Sequence, residues 1–280
     1  MKNKKEITKR QTKAKEKRKK NRQSAQIKQT SNSNYSTVSI KKTSGAQLGL
    51  ADIRVVLPCS GQTIRWGNYL GLPKHLAPFD GIPLIKRTVT QLRHIGFTDI
   101  LITAFNENFQ TDGANLVVPE YSLLPGTGIG HSEPFWSKTG RTLILFGDVY
   151  YSDMAMNIIT QSDPSNIKWF GRIGPGKSGC SYGELFGLSL PLEKQSELRE
   201  CILFIGQEKE KGNIDRATSW ECYRFLHGID LNLNIIGPDF YDIDDETEDF
   251  DYPHEYEMWH RTFRPDQKRS LPDIIGMTGD

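Results

Sequence analysis

The chain has 280 residues, 36% of them hydrophobic, which is enough for one large domain or two small ones. No window approaches the eighteen or more apolar residues of a membrane-spanning helix, and the N-terminus has no apolar signal-peptide core. The formal net charge of +2 hides an asymmetry: residues 1–28 carry thirteen Lys or Arg against Glu6 and Glu16, while the remaining 23 basic and 32 acidic residues leave the body at −9.

The four cysteines, Cys59, Cys180, Cys201 and Cys222, show no CxxC spacing, so reduced thiols in a cytoplasmic protein are expected. Residues 1–49 hold almost no aliphatic side chains and cannot bury enough apolar surface to offset their ordering entropy. A disordered basic tail and linker is expected there. Residues 2–28 read first as a solvated, sequence-tolerant extension, and as the alternative suit weak attraction to nucleic acid or an anionic surface.

The body, residues 50–280, begins with Ile53-Arg54-Val55-Val56-Leu57, a run of strand length suited to burial on both faces. It ends in the small-residue turn Pro58-Cys59-Ser60-Gly61. Leu84, Ile85, Val89, Leu92 and Ile95 then recur at helical spacing, and Gly96 stands where a helix stops. Strands are expected at Asp99–Ala104, Asn115–Val118, Thr142–Phe146, Ile167–Phe170 and Leu185–Leu190. Helices are expected at Ser152–Thr160, Pro191–Arg199, Ser219–Leu226 and Tyr252–Thr262. This alternation predicts βαβ units on a largely parallel sheet.

Ligands of open α/β sheets sit at the carboxyl ends of the strands. One such end follows Leu57. Gly61 permits close backbone approach, and Arg65 and Lys74 supply two cations suited to phosphate. The spacing is not that of a P-loop, and a surface loop with solvated cations has the same composition. A second end is Gly147-Asp148. Its carboxylate at the sheet rim suits either Mg2+ or the cap of the following helix. Late in the chain, inside the acidic run Asp242–Asp251, Asp251 precedes a proline suited to a first helical turn, so it reads as an N-cap or a metal ligand.

Together and in this order, these features resemble the sugar-phosphate nucleotidyltransferases, of the GT-A-like nucleotide-diphospho-sugar transferase superfamily. The resemblance is carried by Cys59-Ser60-Gly61, Arg65, Pro73-Lys74 and Leu76-Ala77-Pro78-Phe79-Asp80-Gly81-Ile82-Pro83-Leu84-Ile85, and it spans about Arg54 to Trp259. Thr63 stands where the family usually has a second glycine, and Ile64 where Ser or Thr is common. The resemblance implies a three-layer α/β sandwich with a mostly parallel central sheet, the GT-A-like, Rossmann-like nucleotidyltransferase fold.

It also implies a nucleoside triphosphate and a phosphorylated small-molecule acceptor as partners, Mg2+ as cofactor, and pyrophosphate as product. Arg65 and Lys74 take the catalytic role. Cys59, Ser60, Gly61, Gly126, Thr127 and Gly128 take the nucleotide, Asp148 and Asp251 the metal, and Arg172 and Glu184 the acceptor. A nucleotide-sugar-dependent glycosyltransferase is the nearest rival, but Asp148-Val149-Tyr150 lacks the second aspartate of Asp-x-Asp. A non-catalytic nucleotide-binding domain with a working basic tail is the other.

Overall fold

A computed structural model describes residues 49–162 and 165–265. Apart from Gly49, the tail and linker expected over residues 1–49 lie outside the described residues. Eleven strands and six α-helices are described. A seven-stranded sheet is built from β1 (Arg54–Pro58), β4 (Ile100–Thr103), β5 (Asn115–Val117), β6 (Thr142–Leu145), β8 (Lys168–Arg172), β9 (Glu184–Leu190) and β10 (Phe240–Asp242), in the order β10-β8-β9-β6-β1-β4-β5. Only β9 runs against its neighbours, β6 and β8; every other adjacent pair is parallel. The helices are α1 (Leu84–Ile95), α2 (Gly128–Ser132), α3 (Asp153–Gln161), α4 (Gln195–Glu210), α5 (Ser219–Leu226) and α6 (Pro253–Phe263).

The pleat sends alternate side chains into two cores. Leu143 and Leu145 enter the one shared with Ile85 and Val89 of α1 and Met156 and Ile159 of α3. Ile144 enters the other, shared with Ile129 of α2, Leu198 and Ile202 of α4 and Cys222 of α5. The expected three-layer α/β sandwich is therefore present. The helix expected at Pro191–Arg199 starts later and runs further: Leu192–Lys194 make a 3-10 entry after Pro191, and the apolar row Leu198, Cys201, Ile202, Ile205 carries α4 on to Glu210. The cysteines Cys59, Cys180, Cys201 and Cys222 are free and buried, and no described helix is long and apolar enough to cross a membrane.

A third cluster, largely aromatic, lies beside the sheet. It gathers Trp66 from the loop after β1, Phe79 of β2 (Pro78–Phe79), Tyr150 of β7 (Val149–Tyr150), Phe250 beside β11 (Glu248–Asp249), and Tyr256 and Trp259 of α6. β2 turns into β3 (Ile82–Pro83) through Asp80 and Gly81, both at positive φ, so a hairpin precedes α1. Phe79 is the hub, with Tyr150, Phe250, Tyr256 and Trp259 ring centroids 5.0–5.4 Å away. Phe79→Ala is expected to cost about 3–5 kcal/mol, the usual penalty for truncating a buried Phe, read as the loss of unfolding free energy in a urea titration.

Candidate active site

The ends of β1 and β6 meet where the sheet's carboxyl edge opens. The Gly147 N–H donates to the Pro58 carbonyl (3.3 Å), and a Cβ on Gly147 would lie 2.3 Å from Cys59 Sγ. Glycine is required there for packing, and the close approach fixes Asp148 at the rim. The next two residues form β7, which pairs antiparallel with β11 so that Val149 faces Asp249 and Tyr150 faces Glu248. This two-rung ladder brings residues about a hundred positions apart to Asp148. Asp251 is held by Glu255, whose carboxylate accepts the N–H groups of Asp251 (2.7 Å) and Tyr252 (2.9 Å) at the start of α6.

The Lys74 ammonium lies among these carboxylates. Lys74 sits on a 3-10 turn after Pro73, 6% exposed, with Nζ 2.6 Å from Asp148 Oδ2, 3.1 Å from Asp251 Oδ1 and 4.0 Å from Asp249 Oδ1. Arg65, 46% exposed, reaches Asp251 from the other side (Nη1–Oδ2 2.5 Å), with its guanidinium 5.6 Å from the Tyr252 ring. Burial works against the Lys74 charge, yet Asp148, Asp249 and Asp251 outweigh it and raise its pKa. For Asp148, burial pushes upward but Lys74 and its neighbours leave the carboxyl below its ordinary value. Asp249 is raised well above the usual carboxylate range, first by burial and then by Asp148 and Asp251. His75 is lowered to about 4 by burial.

A cavity of about 550 Å3 opens over this cluster. Of the expected site residues, Arg65, Lys74, Asp148, Asp251, Gly61, Gly126, Gly128 and Glu184 line it. Gly61 and the Gly126–Gly128 turn face each other: the Gln62 N–H donates to the Gly126 carbonyl (3.3 Å), and a Cβ on Gly128 would lie 2.8 Å from Pro58 Cβ. Four expected residues do not line the cavity. Cys59 turns its thiol onto Gly147, and the Ser60 hydroxyl meets that of Thr103 (3.4 Å). The Thr127 hydroxyl caps α2, accepting the Gly130 N–H (3.2 Å). Arg172, expected on the acceptor, is 1% exposed and committed to Glu248 and the carbonyls of Asp245 and Thr247. Thr63 has φ −110°, an ordinary value that needs no glycine.

Sequence reasoning missed Asp249. Its signal was the Asp249-Phe250-Asp251 alternation, which places two carboxylates on one face of an extended segment. It also missed the cavity's polar wall of Trp220, Arg224, Asn232 and Asn234, which follows no motif. Among the described residues, no group of three or more His, Cys, Asp or Glu side chains is arranged to hold a metal ion.

No family model and no curated protein matches the sequence. Solved structures do match the fold. One is a Bacillus anthracis protein described as a glucose-1-phosphate thymidylyltransferase, in complex with sucrose: 12% identity, TM-score 0.52, covering 75% of this chain and 94% of that one. Another is the inositol-1-phosphate CTP transferase of T. maritima: 14% identity, TM-score 0.50, covering 76% and 96%. The chain thus has the fold of sugar-phosphate nucleotidyltransferases.

Glu184 offers a test of the site's electrostatics. Its carboxyl is pushed up to about 8, first by burial and then by Glu248, while Arg172 acts the other way. A carboxyl raised in the folded state stabilises fully below its unfolded value near 4.5, and that contribution is lost as pH rises toward 8. Glu184→Gln removes the titration, so the variant gains on the wild type across that interval in urea midpoints measured at successive pH values.

Proposed function

We propose that the chain is a nucleotidyltransferase that moves a nucleoside monophosphate from a nucleoside triphosphate to a sugar phosphate or similar phosphorylated acceptor, releasing pyrophosphate. The observation carrying this reading is the Lys74 ammonium, 2.6 and 3.1 Å from Asp148 and Asp251, with Arg65 on the same Asp251 at the cavity. The two solved structures named for such transfers share this fold.

By donor chemistry, two of these carboxylates with substrate phosphates would suit Mg2+. Asp148, Asp249 and Asp251 offer hard oxygen donors, Asp249 Oδ1 is buried without a hydrogen-bond partner, and Mg2+ is commonly held by one or two carboxylates plus substrate phosphates. When bound, Mg2+ neutralises phosphate charge and orients the triphosphate. Asp148 and Asp251 would hold it, with Asp249 beside them.

The protein's own work is positioning and charge neutralisation. Gly61, Gly126 and Gly128 let the nucleotide approach the backbone. Lys74 holds the α-phosphate and the acceptor phosphate together. An acceptor phosphate oxygen then attacks the α-phosphorus, and the bond to the bridging oxygen of pyrophosphate breaks. Arg65 neutralises charge on the departing pyrophosphate, Glu184 contacts the acceptor, and no side chain becomes covalently attached.

Pyrophosphate release is the test, measured with each nucleoside triphosphate against a panel of sugar, polyol and amino-alcohol phosphates in excess Mg2+. One pair turns over. In that pair Lys74→Ala and Arg65→Ala each lower kcat/KM by about 10²–10³, the scale for losing one preorganised charge-stabilising group. Absence of pyrophosphate with every pair, or release of nucleoside diphosphate from a nucleotide sugar, overturns the reading.

A further inference from the structure

Arg172 and Glu248 form a buried ion pair with no direct access to the cavity. Arg172 is 1% exposed and Glu248 is fully buried. Besides the Arg172 guanidinium, the Glu248 carboxylate receives the N–H groups of Lys177 (3.0 Å) and Ser178 (2.9 Å) and the Ser178 hydroxyl. Arg172 also donates to the carbonyls of Asp245 (2.9 Å) and Thr247. The pair therefore ties three segments together: β8, the loop from Ile173 to Gly183, and β11 with the residues leading into it.

Each segment leads to the cavity. Asp249, next after Glu248, lies 4.0 Å from the Lys74 ammonium. The loop delivers Tyr182, Gly183 and Glu184 to the wall, and Glu184 Oε2 lies 3.5 Å from Arg172 Nη1. The packing leaves no slack, since a Cβ on Gly176 would meet Glu248 Oε1 at 2.4 Å and Glu184 Oε1 at 3.1 Å. Desolvating two charges is a poor way to gain stability, because apolar residues of the same volume commonly do as well or better. What the pair supplies here is a fixed relation between the carboxylate strand and the opposite wall.

We propose that Arg172 and Glu248 are positioning residues that hold Asp249 and the Tyr182–Glu184 wall as one unit, so that the carboxylates and the acceptor surface keep a set spacing. This rests on the function proposed above. It differs from a merely structural role in predicting which constants change.

Three variants test it, each with its melting temperature measured. Glu248→Gln keeps the shape and removes the charge, Ser178→Ala removes one donor without disturbing packing, and Gly176→Ala drives a methyl group onto Glu248. The first readout is Mn2+ affinity by electron paramagnetic resonance, in the presence of a non-hydrolysable nucleoside triphosphate analogue. The second is steady-state pyrophosphate release. Glu248→Gln and Gly176→Ala weaken Mn2+ binding by about tenfold or more, as loss of outer-shell support does at metal sites. They raise the acceptor KM in parallel while the triphosphate KM stays nearly constant, and Ser178→Ala gives a smaller change in the same direction. Folded variants with wild-type Mn2+ affinity and acceptor KM overturn the inference, as does a wild type that binds no Mn2+ beside the analogue. A wild type that binds Mn2+ but releases no pyrophosphate sinks the nucleotidyltransferase reading instead, and the Mn2+ comparison still decides the positioning role.

Discussion

One ammonium among three carboxylates governs this molecule. Asp148, Asp249 and Asp251 stand close together at the sheet rim, where like charges repel and water screens them poorly. Lys74 lies within 4.0 Å of all three and is itself nearly sealed from solvent. Neither side is tolerable alone: a buried lysine without partners gives up its proton, and clustered aspartates without a cation take protons up. The Asp249 carboxyl nonetheless stays raised, first by burial and then by Asp148 and Asp251, with Lys74 acting the other way. Arg65 compensates only from the exposed side, through Asp251.

The fold exists in the form that makes this meeting possible. Gly147 lets the ends of β1 and β6 touch, and the β7–β11 ladder returns the chain to the same rim. The aromatic cluster around Phe79 then locks the loop carrying Arg65 to α6, whose first turn carries Asp251's cap. That loop is held in costly conformations, with Asn68 and Leu70 at positive φ. Trp66 anchors it, its indole N–H donating to the carbonyls of Leu72 (2.8 Å) and Tyr69 (3.2 Å). Strain of this kind persists only where surrounding packing over-determines it, and it gathers beside functional sites.

The parts legible in the sequence share one property: each is announced by its immediate neighbours. β1 and β6 read as apolar runs with small-residue ends, which place Lys74 and Asp148 at a rim. Asp251 was marked by the proline of a first helical turn. Asp249 had no such marker. It sits in an acidic run that composition alone assigns to solvent, and its role arises from the register of a two-residue ladder, a long-range pairing with no local trace. The polar wall of Trp220, Arg224, Asn232 and Asn234 was invisible for the same reason, since it is assembled by the packing of α5 against the segment that follows it.

Arg172 and Glu184 show what separates a charge that shapes a site from one that faces it. Both were expected on the acceptor because of where they fall along the chain, and both are nearly buried. Arg172 has its terminal nitrogens engaged by a carboxylate and two backbone carbonyls, so its guanidinium is closed to a ligand. Glu184 lines the cavity; its Oε2 has no hydrogen bond and only a longer ion-pair contact, 3.5 Å to Arg172 Nη1. Position in the sequence treats the two alike, whereas counting each group's satisfied hydrogen bonds does not. By that count the arginine belongs to the scaffold and the glutamate to the wall of the cavity.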